Sequence, residues 1–205
     1  MRRGPLFIVA MLAALIVLPV LAGSLLGACG RSATASFYTL GPDRTLGPLT
    51  PATPVNVVVS PVTVPDILDR PQIVTRLGSN QVTLDEFARW GQPLKGGIAR
   101  AVAGNLATLL GSQRASIFDT GLDATRTWRV RVDVMRFDAM LGESVTIEAL
   151  WTVLPPGKAV PLAGKSLVRE EMSTPGYEAL VSASDRALGG VSREIAAAIQ
   201  TSAPQ

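Results

Sequence analysis

Trp128, Val130, Val132 and Val134 alternate with Arg129, Arg131 and Asp133, and no other feature of this chain limits its fold so tightly. A period of two sends successive side chains to opposite faces, so the run is a strand with one buried and one wet face. After Val134 the apolar parity flips to Met135, Phe137 and Leu141. One extra residue resets a strand's facing, so a β-bulge is expected near Val134 or Met135. Leu141-Gly142-Glu143-Ser144 reads as a turn, and Val145, Ile147, Ala149, Trp151 and Val153 alternate beyond it. The two segments predict an antiparallel hairpin, ended by Pro155-Pro156-Gly157.

Further elements flank this hairpin. Val55-Asn56-Val57-Val58-Val59 is β-branched and short enough for a buried strand. Pro61, Pro65 and Pro71 cannot donate to a ladder and should mark strand ends or edges. Val82 and Leu84 begin a strand running toward Phe87 and Trp90. Pro93 suits the first turn of a helix whose face, Leu94, Ile98, Ala101, Val102, Asn105, Leu106 and Leu109, continues to Leu110, with Gly111 as its stop. Ser166 to Met172 predicts one more strand. Pro175-Gly176 then introduces a last helix, with Tyr177, Leu180, Val181, Ser184, Leu188, Val191, Ile195 and Ile199 on one face. Together these elements predict one compact α/β domain over residues 55–202.

The N-terminus carries a different kind of signal. Arg2 and Arg3 precede an apolar stretch from Leu6 to about Leu21, and a small-residue region ends in Leu26-Gly27-Ala28-Cys29. That is the order of an export signal and its processing site, over residues 1–28. The stretch is shorter than the roughly 20 apolar residues of a spanning helix. Leu-Gly-Ala-Cys resembles a lipobox, so Cys29 is expected to carry lipid as the first residue of the mature chain. Two or three acyl chains give stable membrane attachment where one gives only marginal binding. Gly30, rather than Asp, follows the cysteine, which by resemblance to enterobacterial sorting favours the outer membrane. Residues 29–54 are rich in Ser, Thr, Gly and Pro and read as a flexible tether, with an edge strand offered at 36–41 around Phe37-Tyr38-Thr39-Leu40.

Composition closes off several functions. Losing Arg2 and Arg3 with the signal lowers Lys plus Arg from 19 to 17 against 16 Asp plus Glu. No basic run remains to suggest nucleic acid. Cys29 is the only cysteine, which excludes an intramolecular disulfide and a multi-cysteine metal site. There is no histidine, which removes Ser-His-Asp and Cys-His nucleophiles and histidine metal sites. Gly96-Gly97 and Gly189-Gly190 lack the spacing of a phosphate loop. The pairs Asp85-Glu86 and Glu170-Glu171 point to opposite faces of a strand and read as solvated surface. Arg129 and Arg131 read as the wet face of the sheet, and Trp90, Trp128 and Trp151 as core. No catalytic residue, metal or cofactor is assigned, and the chain is not read as an enzyme.

Phe37-Tyr38-Thr39-Leu40 after a lipobox cysteine, Val57 to Pro65, Leu68-Asp69-Arg70-Pro71-Gln72-Ile73-Val74-Thr75-Arg76, Asn80, and Arg89-Trp90 before Pro93-Leu94 resemble the ABC-type transport auxiliary lipoprotein family, the PqiC-like proteins. Ile67 stands where that family usually has an aromatic. The resemblance implies a single three-layer α/β domain with a mixed sheet and two long amphipathic helices. It implies a non-enzymatic outer-membrane lipoprotein, serving a Pqi-type MCE system that moves phospholipid between the two membranes. Its implied partners are a periplasm-spanning MCE-domain protein, phospholipid and further copies of itself. Arg70, Pro71, Gln72, Arg89 and Trp90 form a family motif without an assigned role, read first as a structural turn. The alternative is a lipoprotein that activates or scaffolds a peptidoglycan synthase or another envelope enzyme.

Overall fold

The computed structural model describes residues 33–119, 123, 125–157 and 160–203. In chain order the elements are β1 (Ser36–Tyr38), β2 (Asn56–Thr63), β3 (Gln72–Arg76), β4 (Val82–Trp90), α1 (Leu94–Leu110), β5 (Ala115–Ser116), β6 (Thr127–Met140), β7 (Ser144–Leu154), β8 (Leu162–Glu171) and α2 (Tyr177–Ser202). β6 and β7 form the antiparallel hairpin, and its register breaks between Val134 and Arg136. Met135 is the extra residue and is exposed, so Phe137 and Ala139 return to the buried face with Trp128, Val130, Val132 and Val134. The connecting turn holds Gly142 at a φ of 83°, a conformation open to glycine at little steric cost.

The strands form two mixed sheets, ordered β5-β2-β6-β7-β8 and β1-β4-β3. The chain is thus an α/β domain with two long helices, its mixed pairing divided between two sheets where one was expected. Proline explains much of the division. The β2 ladder to β6 is interrupted between Val59 and Val62, around Pro61, so Pro61 sits at an irregularity within β2 and not at its end. Past Pro65 the chain leaves through a 3-10 turn at Asp66–Leu68, and β3 pairs with β4 instead of extending the larger sheet. Arg76 on β3 reaches Asp138 on β6 at 2.8 Å, joining the smaller sheet to the larger.

α1 packs over β2 and β5, α2 packs over β7 and β8, and the helices pack on each other. Their apolar faces, including Ile98, Leu106 and Leu110 on α1 and Leu180, Leu188 and Ile195 on α2, are fully buried. Burying an aliphatic side chain of this size contributes about 1.5–3 kcal/mol, so the two faces hold the layers together. Gly111 ends α1 in the left-handed region, its N–H reaching the carbonyls of Ala107 and Thr108.

The segment expected to be a tether departs most from its composition. The compact unit begins at Ala35, not near Val55. β1 runs parallel to β4 at the edge of the smaller sheet. The strap from Leu40 to Val55 then lies across the helix pair, with Leu40 buried and Leu46 and Leu49 packed on the core. Its polar backbone finds partners on both helices: Gly41 N–H donates to Asp185 Oδ1 at 2.9 Å, Asp43 N–H to Asn105 Oδ1 at 2.8 Å, and Leu49 N–H to the Leu109 carbonyl at 2.7 Å. Satisfied amides and a few apolar anchors order a segment that has no periodicity of its own. The signal segment 1–28 and Cys29 lie outside the described residues.

Candidate functional site

The motif residues separate along the chain as Arg70-Pro71-Gln72 and Arg89-Trp90, and strand pairing brings them together. Gln72 at the start of β3 stands opposite Arg89 near the end of β4. Trp90 N–H donates to the Pro71 carbonyl at 2.7 Å, which locks the turn before β3 to the end of β4. Gln72 Nε2 donates to Glu86 Oε2 at 3.2 Å, and Arg89 donates to the same carboxylate at 3.1 Å and to the Glu86 carbonyl at 2.8 Å.

This end of β4 is irregular, because Gln72 pairs with Arg89 while Ile73 already pairs with Asp85. Asp85 supports the protruding loop by accepting the N–H groups of Phe87 at 2.7 Å and Ala88 at 3.1 Å. The Phe87 N–H, first among these contacts, holds the Asp85 carboxyl below its ordinary value. Asp85 therefore braces backbone, where its sequence suggested a merely solvated acid.

Beside the motif lies an open cavity of about 340 Å³ lined by Asp69, Arg70, Pro71, Trp90, Gln92 and Leu94, among others. The indole of Trp90 is buried, and Arg70 Nε is buried without a hydrogen-bond partner among the described residues. Lys95 pairs with Asp69 at 2.7 Å, and Arg100 donates to Gln92. Asp69 stands in the family run and Gln92 follows Trp90 closely, but neither they nor Lys95 are legible as site residues, because their meeting at this corner depends on the fold. A guanidinium, an indole and amide groups are the chemistry of a structural corner or a docking surface.

The other candidate groups are each held in an ion pair with a neighbour. Arg129 pairs with Asp119 at 2.6 Å and Arg131 with Asp133 at 2.7 Å, both on the wet face. Glu170 pairs with Arg186 at 3.0 Å, and Glu171 with Arg169 at 3.0 Å. Among the described residues no three His, Cys, Asp or Glu side chains come together to hold a metal ion.

A family model described as ABC-type transport auxiliary lipoprotein component matches residues 38–196. No curated protein matches the chain. The fold is similar to the crystal structure of an uncharacterized protein, with a TM-score of 0.66 and 20% identity over 82% of this chain and 99% of that one. It is also similar to a Xanthomonas campestris protein of the DUF330 family, with a TM-score of 0.61 and 18% identity over 81% of this chain and 95% of that one.

Proposed function

The chain belongs to the ABC-type transport auxiliary lipoprotein family, and from that premise we propose that it is the outer-membrane lipoprotein of a Pqi-type MCE system that moves phospholipid between the inner and outer membranes. In this reading Cys29 carries the lipid, the domain faces the periplasm without enzymatic activity, and a periplasm-spanning MCE-domain protein docks on it. Copies of the chain assemble with one another around that partner.

The observation that carries the reading is the family match over residues 38–196, which takes in nearly all of the chain beyond the lipobox. Two features support it. The lipobox ending at Cys29 supplies the anchor that a lipoprotein component needs. The motif cluster lines an open cavity at one corner of the domain with the Arg70 guanidinium and the edge of the core around Trp90, a place where a partner could seat.

The reading is tested by following newly made phospholipid from the inner to the outer membrane in cells lacking the protein. Transfer is expected to slow and to recover on expression of the wild-type chain. Unchanged transfer, with a fall in cell-wall synthesis in its place, would replace this reading with the enzyme-activator one.

A further inference from the structure

Asp43 is the one charged residue buried among the described residues, its side chain 2% exposed. It sits in the strap, where its Oδ1 accepts the Thr45 N–H at 2.9 Å and the Thr45 hydroxyl at 2.7 Å. Its Oδ2 is buried with no hydrogen-bond partner, and Arg193 Nη2 on α2 stands 3.8 Å away. The helix makes room for this oxygen: a Cβ on Gly189 would lie 2.5 Å from it. Two residues earlier the strap meets a second carboxylate, since Gly41 N–H donates to Asp185 Oδ1. The buried Asp43 carboxylate, which lacks a hydrogen bond to Oδ2, thus stands near enough to Asp185 for its charge to act on that carboxyl.

We propose that Asp185, facing the strap beside the buried Asp43, is a proton-operated clasp, in which a proton taken up by Asp185 tightens the strap onto the helix pair and its loss loosens the strap. The proposal stands apart from the transport reading, because it needs only the strap and the two helices. The strap and α2 supply the charged groups at the seam, and α1 a neutral one. The strap brings Asp43 and Arg44, α2 brings Asp185, Arg186 and Arg193, and α1 brings the uncharged Asn105, which donates to Ser192 at 3.2 Å. Arg186 is already shared with Glu170 at 3.0 Å.

The direction follows from linkage. Burial, and then the charge of Asp43, push the Asp185 carboxyl from 3.8 up to about 6 against the opposing pull of the Gly41 N–H, Arg44 and Arg186. Opening the strap returns Asp185 toward water and its ordinary value, so the closed form binds the proton more tightly. The added hold is complete below the ordinary carboxylate value and is lost as pH rises through about 6.

Hydrogen exchange in the full lipidated chain in detergent micelles reads this directly. The reporters are the amides of Gly41, Asp43 and Leu49, corrected for intrinsic exchange. In the wild type their protection should be roughly tenfold higher near pH 5 than near pH 7.5. D185N should abolish that difference. D43N, which removes the neighbouring charge, should shrink it and move its midpoint to lower pH, and it carries the test if D185N does not fold. Equal wild-type protection at the two pH values, or an unreduced difference in either variant, would overturn the clasp.

Discussion

A chain with Cys29 replaced by Ala is expected to lose its lipid anchor altogether, and with it the mature, membrane-attached form. In this account all stable attachment passes through one thiol. Each buried methylene of an acyl chain contributes about 0.8 kcal/mol, so two or three chains amount to an anchor that cannot be partly lost. Among the described residues no helix is long and apolar enough to cross a membrane and stand in for it. The variant should lack the acyl mass and should either appear in the soluble fraction or remain uncleaved. Intact-mass measurement with membrane fractionation checks this, and unchanged acylation and fractionation of the variant would remove the lipoprotein claim.

Trp151→Ala should destabilise the domain by about 3–5 kcal/mol, the usual range for emptying a buried aromatic site. The indole is buried on β7, and its Nε1–H donates to Ser166 Oγ at 3.0 Å, which in turn donates to Glu194 Oε2 at 2.6 Å. Truncation leaves a void and breaks a hydrogen-bond chain running from β7 through β8 to α2. The ring lies flat against Gly164 on the neighbouring strand. A Cβ there would stand 2.6 Å from Trp151 Cη2 and 2.7 Å from Cε2, closer than packed carbons approach. Gly164→Ala should therefore cost about 1–3 kcal/mol through overpacking. The double variant should lose less than the sum, because the new methyl enters space that the indole has vacated. Urea unfolding with an unchanged slope measures all three. Additive losses would show that the two positions do not share the space the structure gives them.

Where residues repeat at a fixed interval, the fold was legible in the sequence. The β6 alternation and its parity change announced both the hairpin and the irregularity at Met135, because facing is a local property with a period of two. α1 was legible from Pro93 to Gly111 because its period of 3.6 is bounded by the residues that start and stop helices. Pairing between distant segments was not. β1 beside β4, and β2 between β5 and β6, are parallel partnerships whose registers no local pattern encodes.

The strap was misread for a related reason. Its composition is that of a linker, and its order comes from Asn105, Leu109 and Asp185 on helices far along the chain. Gly189 and Gly190 were legible only as the wrong spacing for a phosphate loop. In the fold they are flat places on α2, the first against Asp43 and the second against Val168. The motif at Arg70, Pro71, Gln72, Arg89 and Trp90 could be picked out, but its convergence depends on the β3–β4 register, and the pairing of Asp69 with Lys95 beside it is formed only in three dimensions.

Capture of the lipidated protein from native envelope, with mass spectrometry of the proteins and lipids that accompany it, decides between transport and enzyme activation in one step. An MCE-domain protein should be recovered together with phospholipid. Recovery of a cell-wall synthase with no MCE-domain partner would overturn the transport function and leave the enzyme-activator one.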